Sequence, residues 1–199
     1  MEINPELLHR PAAPSGAGMV LTHGAGANCR TALLVAVGEM LAARGVTVLR
    51  YDLPFRQKRP SGPPHPSGAA ADRAGLRKAV EAMRSVVPGP VYLGGHSYGG
   101  RQATMLAADQ PDLVSGLLLL SYPLHPPGKP ESARTAHFPQ LRTRAAFVHG
   151  ERDDFGSEDE MRTALEMIPA ETLLSMAAGA GHDLKKGKID LTRALDFLL

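Results

Sequence analysis

The segment 94–101, GGHSYGGR, constrains the fold of this chain more than any other stretch. It follows the apolar run Val91–Leu93 and contains a Gly-x-Ser-x-Gly motif formed by Gly95, Ser97 and Gly99. Such a motif between a strand and a helix holds the serine in a strained turn, and its glycines let strand and helix approach closely without a Cβ clash. The turn exposes the serine hydroxyl at the edge of the sheet. We therefore expect Ser97 to be a nucleophile.

A second glycine-rich turn, His23–Ala27, follows the apolar run Met19–Leu21. A His-Gly-x-Gly turn after a strand supplies one of the two backbone N–H groups that stabilise the oxyanion of a tetrahedral intermediate. The other comes from the residue after the nucleophile. The predicted donors are therefore Tyr98 and Ala25, with Gly26 as the alternative to Ala25.

The same turn has a competing interpretation as a phosphate-binding loop. Gly24-x-Gly26 between a strand and a helix, followed by a strand that ends near Asp52, resembles the start of a dinucleotide-binding fold. However, Cys29 stands where that motif requires its third glycine, and the chain has no GxxxxGK[ST] segment. The sequence therefore favours the oxyanion interpretation and predicts no cofactor.

An acidic turn follows the predicted strand Ala145–Val148, where the sequence continues HGERDDFG. A carboxylate in the turn after a late strand can orient a catalytic imidazole and stabilise its cation. Asp153 has the Gly-x-x-Asp spacing from Gly150, Asp154 is the runner-up, and Glu151 is a more distant alternative.

The candidate base is His182, which lies in the loop GAGHDL after a predicted strand. Serine, aspartate and histidine then occur in the chain order expected for a hydrolytic triad on a strand–helix fold. Other histidines have weaker predicted roles: His23 supports the glycine-rich turn, and His96 packs on a neighbouring strand. No HxH, HExxH or CxxC pattern occurs, so the sequence predicts no metal site.

Length and composition indicate an ordinary globular protein. The chain has 199 residues, 43% apolar and 21% charged, which predicts one domain over 18–199 preceded by an N-terminal extension, 1–17. A net charge of +2 without an extended basic run does not indicate nucleic acid. The single cysteine excludes an internal disulfide, and no signal-peptide pattern or apolar run of about 18 residues occurs. We therefore expect a cytoplasmic protein that does not enter a membrane, with its oligomeric state open.

Strands and helices alternate along the chain. This pattern predicts an α/β fold with a mainly parallel sheet of about six strands and helices on both faces. The predicted strands are Met19–Leu21, Val46–Tyr51, Val91–Gly95, Leu117–Leu120, Ala145–Val148 and Thr172–Met176. The predicted helices are Arg30–Ala43, Gly68–Val86, Tyr98–Asp109, Ser157–Ile168 and Ile189–Leu199. The N-terminal stretch is too short for a leading antiparallel pair but long enough to add an edge strand.

The stretches Arg50–Pro66 and Tyr122–Arg144, which contain the proline-rich loops Pro54–Pro66 and Pro123–Leu141, are expected to form the walls of the site. The second lies where many related folds insert a lid, but it lacks a helical period, so the sequence predicts no cap domain. The site is then an open cleft at the carboxyl ends of the strands. In the first loop, Arg56, Lys58 and Arg59 either point into water or attract an anionic substrate.

Taken together, these motifs resemble the lidless α/β-hydrolases of the dienelactone-hydrolase-like group. That family also includes a subunit of the nonspecific-lethal histone acetyltransferase complex. The resemblance starts at about Met19 and rests on the segments LTHGAGAN, RYDLPF, GGHSYGGR, SYPLHPPGKPE, VHGERDDFG and GHDL. It implies an α/β-hydrolase fold in which Ser97, Asp153 and His182 form the triad. Dienelactone hydrolases proper use a cysteine where this chain has Ser97.

The expected function is hydrolysis of a small ester, thioester or other acyl group through an acyl-enzyme on Ser97. The expected partner is thus a small-molecule acyl substrate. The alternative is a catalytically idle protein-interaction module. The resemblance to a subunit of a histone acetyltransferase complex makes this alternative reasonable. A chain that has lost catalysis need not keep the elbow, the oxyanion turn, the acid and the histidine together, so the sequence favours the enzyme.

Overall fold

A computed structural model describes residues 2–185 and 189–199. Within them, seven strands form one sheet in the order β1-β3-β2-β4-β5-β6-β7. Strands β2 to β7 are parallel, and β1 pairs antiparallel with β3 at one edge. The strands are β1 Leu8–His9, β2 Gly18–Thr22, β3 Thr47–Tyr51, β4 Val91–His96, β5 Leu117–Leu120, β6 Ala145–Gly150 and β7 Thr172–Ala177. The α-helices are α1 Ala32–Ala43, α2 Pro54–Lys58, α3 Ala69–Arg84, α4 Tyr98–Asp109, α5 Glu158–Leu165 and α6 Thr192–Leu198.

The sheet is buried on both faces, which explains the continuous apolar runs of its central strands. Strand β5 shows this most clearly. Leu117 and Leu119 pack in one core cluster with α3, α4 and α5, whereas Leu118 and Leu120 pack in a second cluster with α1 and α6. Each buried leucine contributes about 1.5–3 kcal/mol relative to an exposed one, so both faces hold their helices firmly.

The predicted fold class is confirmed, with six parallel strands and helices on both faces. The seventh strand, β1, comes from within the segment 1–17. Arg50 fixes that segment, because its side chain donates to His9 Nε2 at 2.7 Å and to the Glu6 carbonyl at 3.2 Å.

One predicted loop was wrong over its first residues. The stretch predicted as the loop Pro54–Pro66 begins with the helix α2, Pro54–Lys58. Pro54 at the first turn has the fixed φ that a helix start needs. The buried carboxylate of Asp72 on α3 accepts a hydrogen bond from the Phe55 N–H at 3.1 Å. This tertiary contact stabilises a helix too short to form alone.

The stretch after β5 contains no lid. Residues 122–144 hold only the short 3-10 turns Pro130–Ser132 and Phe138–Gln140. The turns that follow β2, β4, β6 and β7 therefore meet at the carboxyl edge of the sheet without a helical cover. In the part of the chain that the structure describes, no helix is long and apolar enough to cross a membrane.

Candidate active site

The elbow after β4 places Ser97 in a strained conformation. Its backbone has φ 50° and ψ −117°, a left-handed φ that residues other than glycine rarely adopt. A Cβ on Gly95 would lie 2.6 Å from the Gly100 nitrogen, and one on Gly99 would lie 2.6 Å from the His23 carbonyl oxygen. Only glycine therefore allows β2, β4 and α4 to approach so closely. The neighbouring strand β5 stabilises this strained conformation, because the Ser97 N–H donates to the Leu120 carbonyl at 2.9 Å.

Three predicted side chains meet at this elbow. His182 Nε2 lies 2.7 Å from Ser97 Oγ, and His182 Nδ1 lies 2.9 Å from each carboxylate oxygen of Asp153. The Asp153 side chain is fully buried, whereas the imidazole of His182 is 23% exposed. With Nδ1–H donating to the carboxylate, Nε2 is left to accept the serine proton. This is the arrangement that turns a hydroxyl into a nucleophile.

Asp153 is the acid that contacts His182, and the two alternatives lie elsewhere. Asp154 is exposed to solvent. Glu151 accepts a hydrogen bond from the Gly179 N–H at 2.7 Å and so anchors the loop that carries the histidine. That anchoring contact was not predicted from the sequence.

Phe155 orients both the acid and the base. Its N–H donates to Asp153 Oδ1 at 2.9 Å, and its ring stacks on the His182 imidazole at 4.0 Å with an interplanar angle of 28°. His149 stabilises the same turn, because its Nε2–H donates to the Gly156 carbonyl at 2.8 Å. Burial lowers the pKa of His149, so its ring stays neutral beside Asp153.

His96 does more than pack on a neighbouring strand. Its Nε2–H donates to the backbone carbonyl of His182 at 2.8 Å. Burial lowers the pKa of His96, so the ring is neutral, and the carbonyl acceptor requires that Nε2 carry the proton. The residue before the nucleophile thus holds the loop of the proposed base against the elbow.

The predicted oxyanion donors come from two neighbouring turns, one after β2 and one after β4. Ala25 and Gly26 sit in a turn that the Ala27 N–H closes onto the Gly24 carbonyl at 3.1 Å. Tyr98 is the first residue of α4, where backbone N–H groups have no partner within the helix. No hydrogen bond among residues 2–185 and 189–199 uses the N–H of Ala25, Gly26 or Tyr98.

His23 supports this turn. Its Nδ1–H donates to the Gly24 carbonyl at 2.8 Å, and its Nε2 accepts from the Leu53 N–H at 3.1 Å. The ring is completely buried, and burial lowers its pKa. A neutral His23 therefore links the turn to the segment that leads into α2.

Arg56 is the main brace of the turn and does not line the rim. It is 5% exposed, and its guanidinium donates to the carbonyls of Ala25 at 2.9 Å and Ala27 at 2.7 Å. Two further bonds reach the carbonyls of Arg59 and Gly62. The expectation that Arg56 either points into water or attracts substrate is thus wrong, because its donors are occupied by backbone oxygens. Lys58 and Arg59 are exposed.

The side chain of Tyr98 is fixed by an aspartate that sequence reasoning missed. Asp72 is completely buried on α3 and accepts a hydrogen bond from the Tyr98 hydroxyl at 2.8 Å. Burial, with this carboxylate, raises the pKa of Tyr98, so the phenol keeps its proton and donates. Because Asp72 also accepts from the Phe55 N–H, one carboxylate joins the start of α2 to the residue that follows Ser97.

The described residues hold no group of three or more histidine, cysteine or acidic side chains that could bind a metal.

Comparison with known proteins supports the fold. Residues 15–196 match the model of the family described as "Alpha/beta hydrolase domain". Esterase Rv0045c of Mycobacterium tuberculosis is 26% identical over 84% of this chain. The chain spans about half of that relative's length, 52%.

Two solved structures are similar over most of both chains. One is a Xanthomonas campestris α/β serine hydrolase without a lid, 18% identical, with a TM-score of 0.74 over 95% of this chain and 84% of the other. The second is dienelactone hydrolase from Anabaena variabilis, 20% identical, with a TM-score of 0.68 over 90% and 82%. At these identities the likeness shows the fold alone. The family match and the sheet order together show that the chain belongs to the α/β-hydrolase family.

Proposed function

We propose that the protein is a serine hydrolase that cleaves a small ester, thioester or other acyl group. The observation that carries this proposal is the continuous chain of hydrogen bonds from Ser97 Oγ through His182 to Asp153, at 2.7 and 2.9 Å. Nucleophile and base within hydrogen-bond reach, with the base oriented by a third group, is the arrangement that nucleophilic catalysis needs. The relative named as an esterase supports the same class.

The proposed reaction has two halves. In the first, His182 accepts the Ser97 proton as Oγ attacks the carbonyl carbon, and the leaving alcohol or thiol then takes that proton from His182. In the second, a water molecule loses its proton to His182, attacks the acyl-enzyme and releases the acid and the serine. Asp153 stabilises the imidazolium in both halves without itself becoming protonated.

The negative oxygen of each tetrahedral intermediate is proposed to lie between the backbone N–H groups of Tyr98 and Ala25, with Gly26 as the alternative. Free N–H groups fixed by the fold stabilise developing charge without reorganising, which is worth about 10²–10³ in kcat per donor. The contacts of Arg56 and His23 with this turn support that proposal.

A small or exposed acyl group suits the surroundings of the elbow. The stretch 122–144 carries no helical lid. Below the site, both faces of the sheet are filled by packed core side chains. A long acyl chain gains affinity by burying methylenes, at about 0.8 kcal/mol each, and an uncapped edge has little room for this.

Labelling with a fluorophosphonate tests the proposal. We expect mass spectrometry of the intact and digested protein to find one adduct, on Ser97, and none in Ser97→Ala. Cys29 should stay unmodified, because it is completely buried and burial raises the pKa of its thiol to about 12. An adduct on another residue with Ser97 untouched contradicts the assignment.

The runner-up is a catalytically idle interaction module, suggested by the resemblance to the nonspecific-lethal complex subunit. The same experiment separates the two functions. A folded protein whose Ser97 resists the probe and that cleaves no p-nitrophenyl ester would favour the module.

A further inference from the structure

A groove lies between helix α5 and the loop that follows β5, and we call it the α5 groove. Its volume is about 450 Å³, within the range of about 300–1,000 Å³ that is common for small-molecule sites. Its apolar walls are formed by Leu124, Pro130, Ala133, Ala164 and Met167. Leu124 and Pro130 belong to the segment SYPLHPPGKPE, which supplies no residue of the candidate triad and no proposed oxyanion donor. The α5 groove is thus a feature of that segment which the proposed hydrolysis leaves unexplained.

His125, from the same segment, brings a buried acceptor to the α5 groove. It lines the groove, and its side chain is 8% exposed. Its Nδ1–H donates to the Pro126 carbonyl at 2.8 Å, so the uncharged ring carries a lone pair on Nε2. Nε2 is buried and has no hydrogen-bond partner in the two segments that the structure describes. Since buried polar atoms are normally hydrogen-bonded, Nε2 suits a ligand that brings an N–H or O–H group.

The Glu160 carboxylate is a second acceptor beside this ring. Its Oε2 lies 3.5 Å from His125 Nε2, beyond the usual hydrogen-bond range of about 2.7–3.2 Å. Hydrogen bonds from the Ser157 N–H and hydroxyl lower the pKa of Glu160, so this carboxylate is negative near pH 7. The Glu160 side chain is 42% exposed, and a small rotation would admit a donor group between the two acceptors.

The charges that line the α5 groove have one sign. Asp159 and Glu160 both line it, and no lysine or arginine occurs among the described residues that do so. The basic residue of α5, Arg162, is already paired with Glu158. The groove therefore attracts a positive charge, while its apolar walls favour a hydrocarbon body.

A primary ammonium group matches both acceptors at once. It carries a charge and three N–H donors, so one nitrogen can bind the imidazole nitrogen of His125 and the carboxylate of Glu160 together. A hydroxyl group has one donor and no charge, so it can donate to only one of them. An anion would be repelled by the two carboxylates.

The α5 groove adjoins the turn that carries the proposed acid. The His125 N–H donates to the Phe155 carbonyl at 3.0 Å, and a Cβ on Gly156 would lie 3.0 Å from the Leu124 Cβ. The described residues that line the groove do not include those of the triad, Ser97, Asp153 and His182. The groove is therefore a second site, next to the candidate active site but separate from it.

We propose that the α5 groove binds a small organic ammonium ion. Its charged group would lie at His125 and Glu160, and its hydrocarbon part would cover the apolar walls. Alkylamines and aralkylamines have this chemistry. The inference goes beyond the proposed hydrolysis and does not require it.

Titration calorimetry on the full chain at pH 8 tests the ligand class. We expect 2-phenylethylamine to bind at least about tenfold more tightly than 2-phenylethanol, which has the same hydrocarbon part and no charge; tenfold corresponds to about 1.4 kcal/mol. Phenylacetate should bind most weakly of the three. Equal affinity for the amine and the alcohol overturns the proposal.

Variants of the two acceptors test the position of the ammonium group. Glu160→Gln removes the charge but keeps a residue that a capping box accepts, and it should abolish most of the preference for the amine. His125→Leu should abolish part of it, because the imidazole acceptor is lost. Glu158→Gln is the matched control, since it removes the same charge from the same turn of α5 outside the groove. Equal losses in Glu158→Gln and Glu160→Gln overturn the site.

Filling the groove is an independent test. Ala133 is exposed and lines the groove, so Ala133→Phe should block both the amine and the alcohol. Ala136→Phe, at an exposed position of the same loop outside the groove, should leave both affinities unchanged. Thermal unfolding checks that each variant folds, and Thr163→Phe on the opposite wall replaces Ala133→Phe if the latter is unstable. Undiminished amine binding in the filled variant contradicts the proposal.

The second site and the proposed hydrolase fail separately. Ser97→Ala should bind 2-phenylethylamine as the wild type does, because Ser97 does not line the groove. Amine binding in a protein that resists the fluorophosphonate supports the second site and contradicts the hydrolase. Labelling of Ser97 without any preference for the amine has the opposite meaning.

Discussion

The Asp153 carboxylate is buried and binds two hydrogen-bond donors. It accepts from His182 Nδ1 and from the Phe155 N–H, and it lies 3.6 Å from His149 Nε2. Asp153→Asn should therefore lower kcat against a p-nitrophenyl ester by about 10⁴, because an amide favours the wrong tautomer of the imidazole. KM should change little. Steady-state kinetics and a melting curve of the same preparation check this expectation.

Asp154→Asn is the matched control. Its carboxylate is exposed and one position away, so we expect nearly full activity. Loss of activity in Asp154→Asn with activity kept in Asp153→Asn would show that the wrong neighbour has been assigned as the acid.

The sequence predicts some residues of the site better than others, for a physical reason. Ser97 and His182 lie in glycine-rich turns, and the spacing of those glycines in the sequence predicts the backbone conformation. Arg56 and Asp72 do not, because their partners are backbone atoms of segments far away in the chain. A side chain that binds a distant carbonyl or N–H leaves no pattern of residue types at that partner.

At the scale of elements, α2 contacts the turn of the proposed oxyanion donor through Arg56. Arg56→Met removes the two bonds to the Ala25 and Ala27 carbonyls, so the turn that carries the proposed oxyanion donor should loosen. We expect kcat to fall by about 10²-fold, the scale of one lost donor, with a small change in KM. Kinetics with a p-nitrophenyl ester measure both parameters.

Two further variants make this test specific. Arg56→Lys should recover part of kcat, because one ammonium can still bind a carbonyl of the turn. Arg59→Met should leave kcat near the wild-type value, since Arg59 is exposed and donates to the Pro63 carbonyl. Equal losses in Arg56→Met and Arg59→Met would mean that the whole loop, rather than this brace, affects the rate.

The elements that were predicted well are those that carry their own pattern. The apolar runs of β4, β5 and β6 indicate buried parallel strands without knowledge of their neighbours. Strand β1 has two residues and α2 has five. These segments are too short to show the two-residue apolar period of a strand or the 3.6-residue period of a helix. Both depend on tertiary contacts, from Arg50 and Asp72 respectively.

At the scale of the whole molecule, buried histidines couple stability to pH. Burial lowers the pKa of His23, His96 and His149, and lowers that of His137 to about 4. Above the unfolded pKa of about 6.5 these rings are neutral in both states, and their full contribution to stability is present. As pH falls below that value, the unfolded chain binds protons that the folded chain does not. The free energy of unfolding should therefore decrease steadily from pH 6.5 toward pH 4.

Thermal unfolding at pH 7.5, 6.5, 5.5 and 4.5 measures this decrease. His137→Gln, which can keep a hydrogen bond to Thr104, should show a smaller fall in Tm over that range. His65→Gln, at an exposed position, should follow the wild type. A Tm that rises on acidification would be incompatible with neutral buried imidazoles.

The contact between Ser97 and His182 joins positions 85 residues apart in the chain. The paired strands β5, β6 and β7 place the histidine loop beside the elbow, so this long-range contact depends on their pairing. During synthesis, a nascent chain that has emerged only as far as α4 holds Ser97 without His182 or Asp153. Its hydroxyl then has no base within reach and is an ordinary alcohol. The reactivity proposed for Ser97 therefore requires an assembled sheet, and an unfinished chain would lack it.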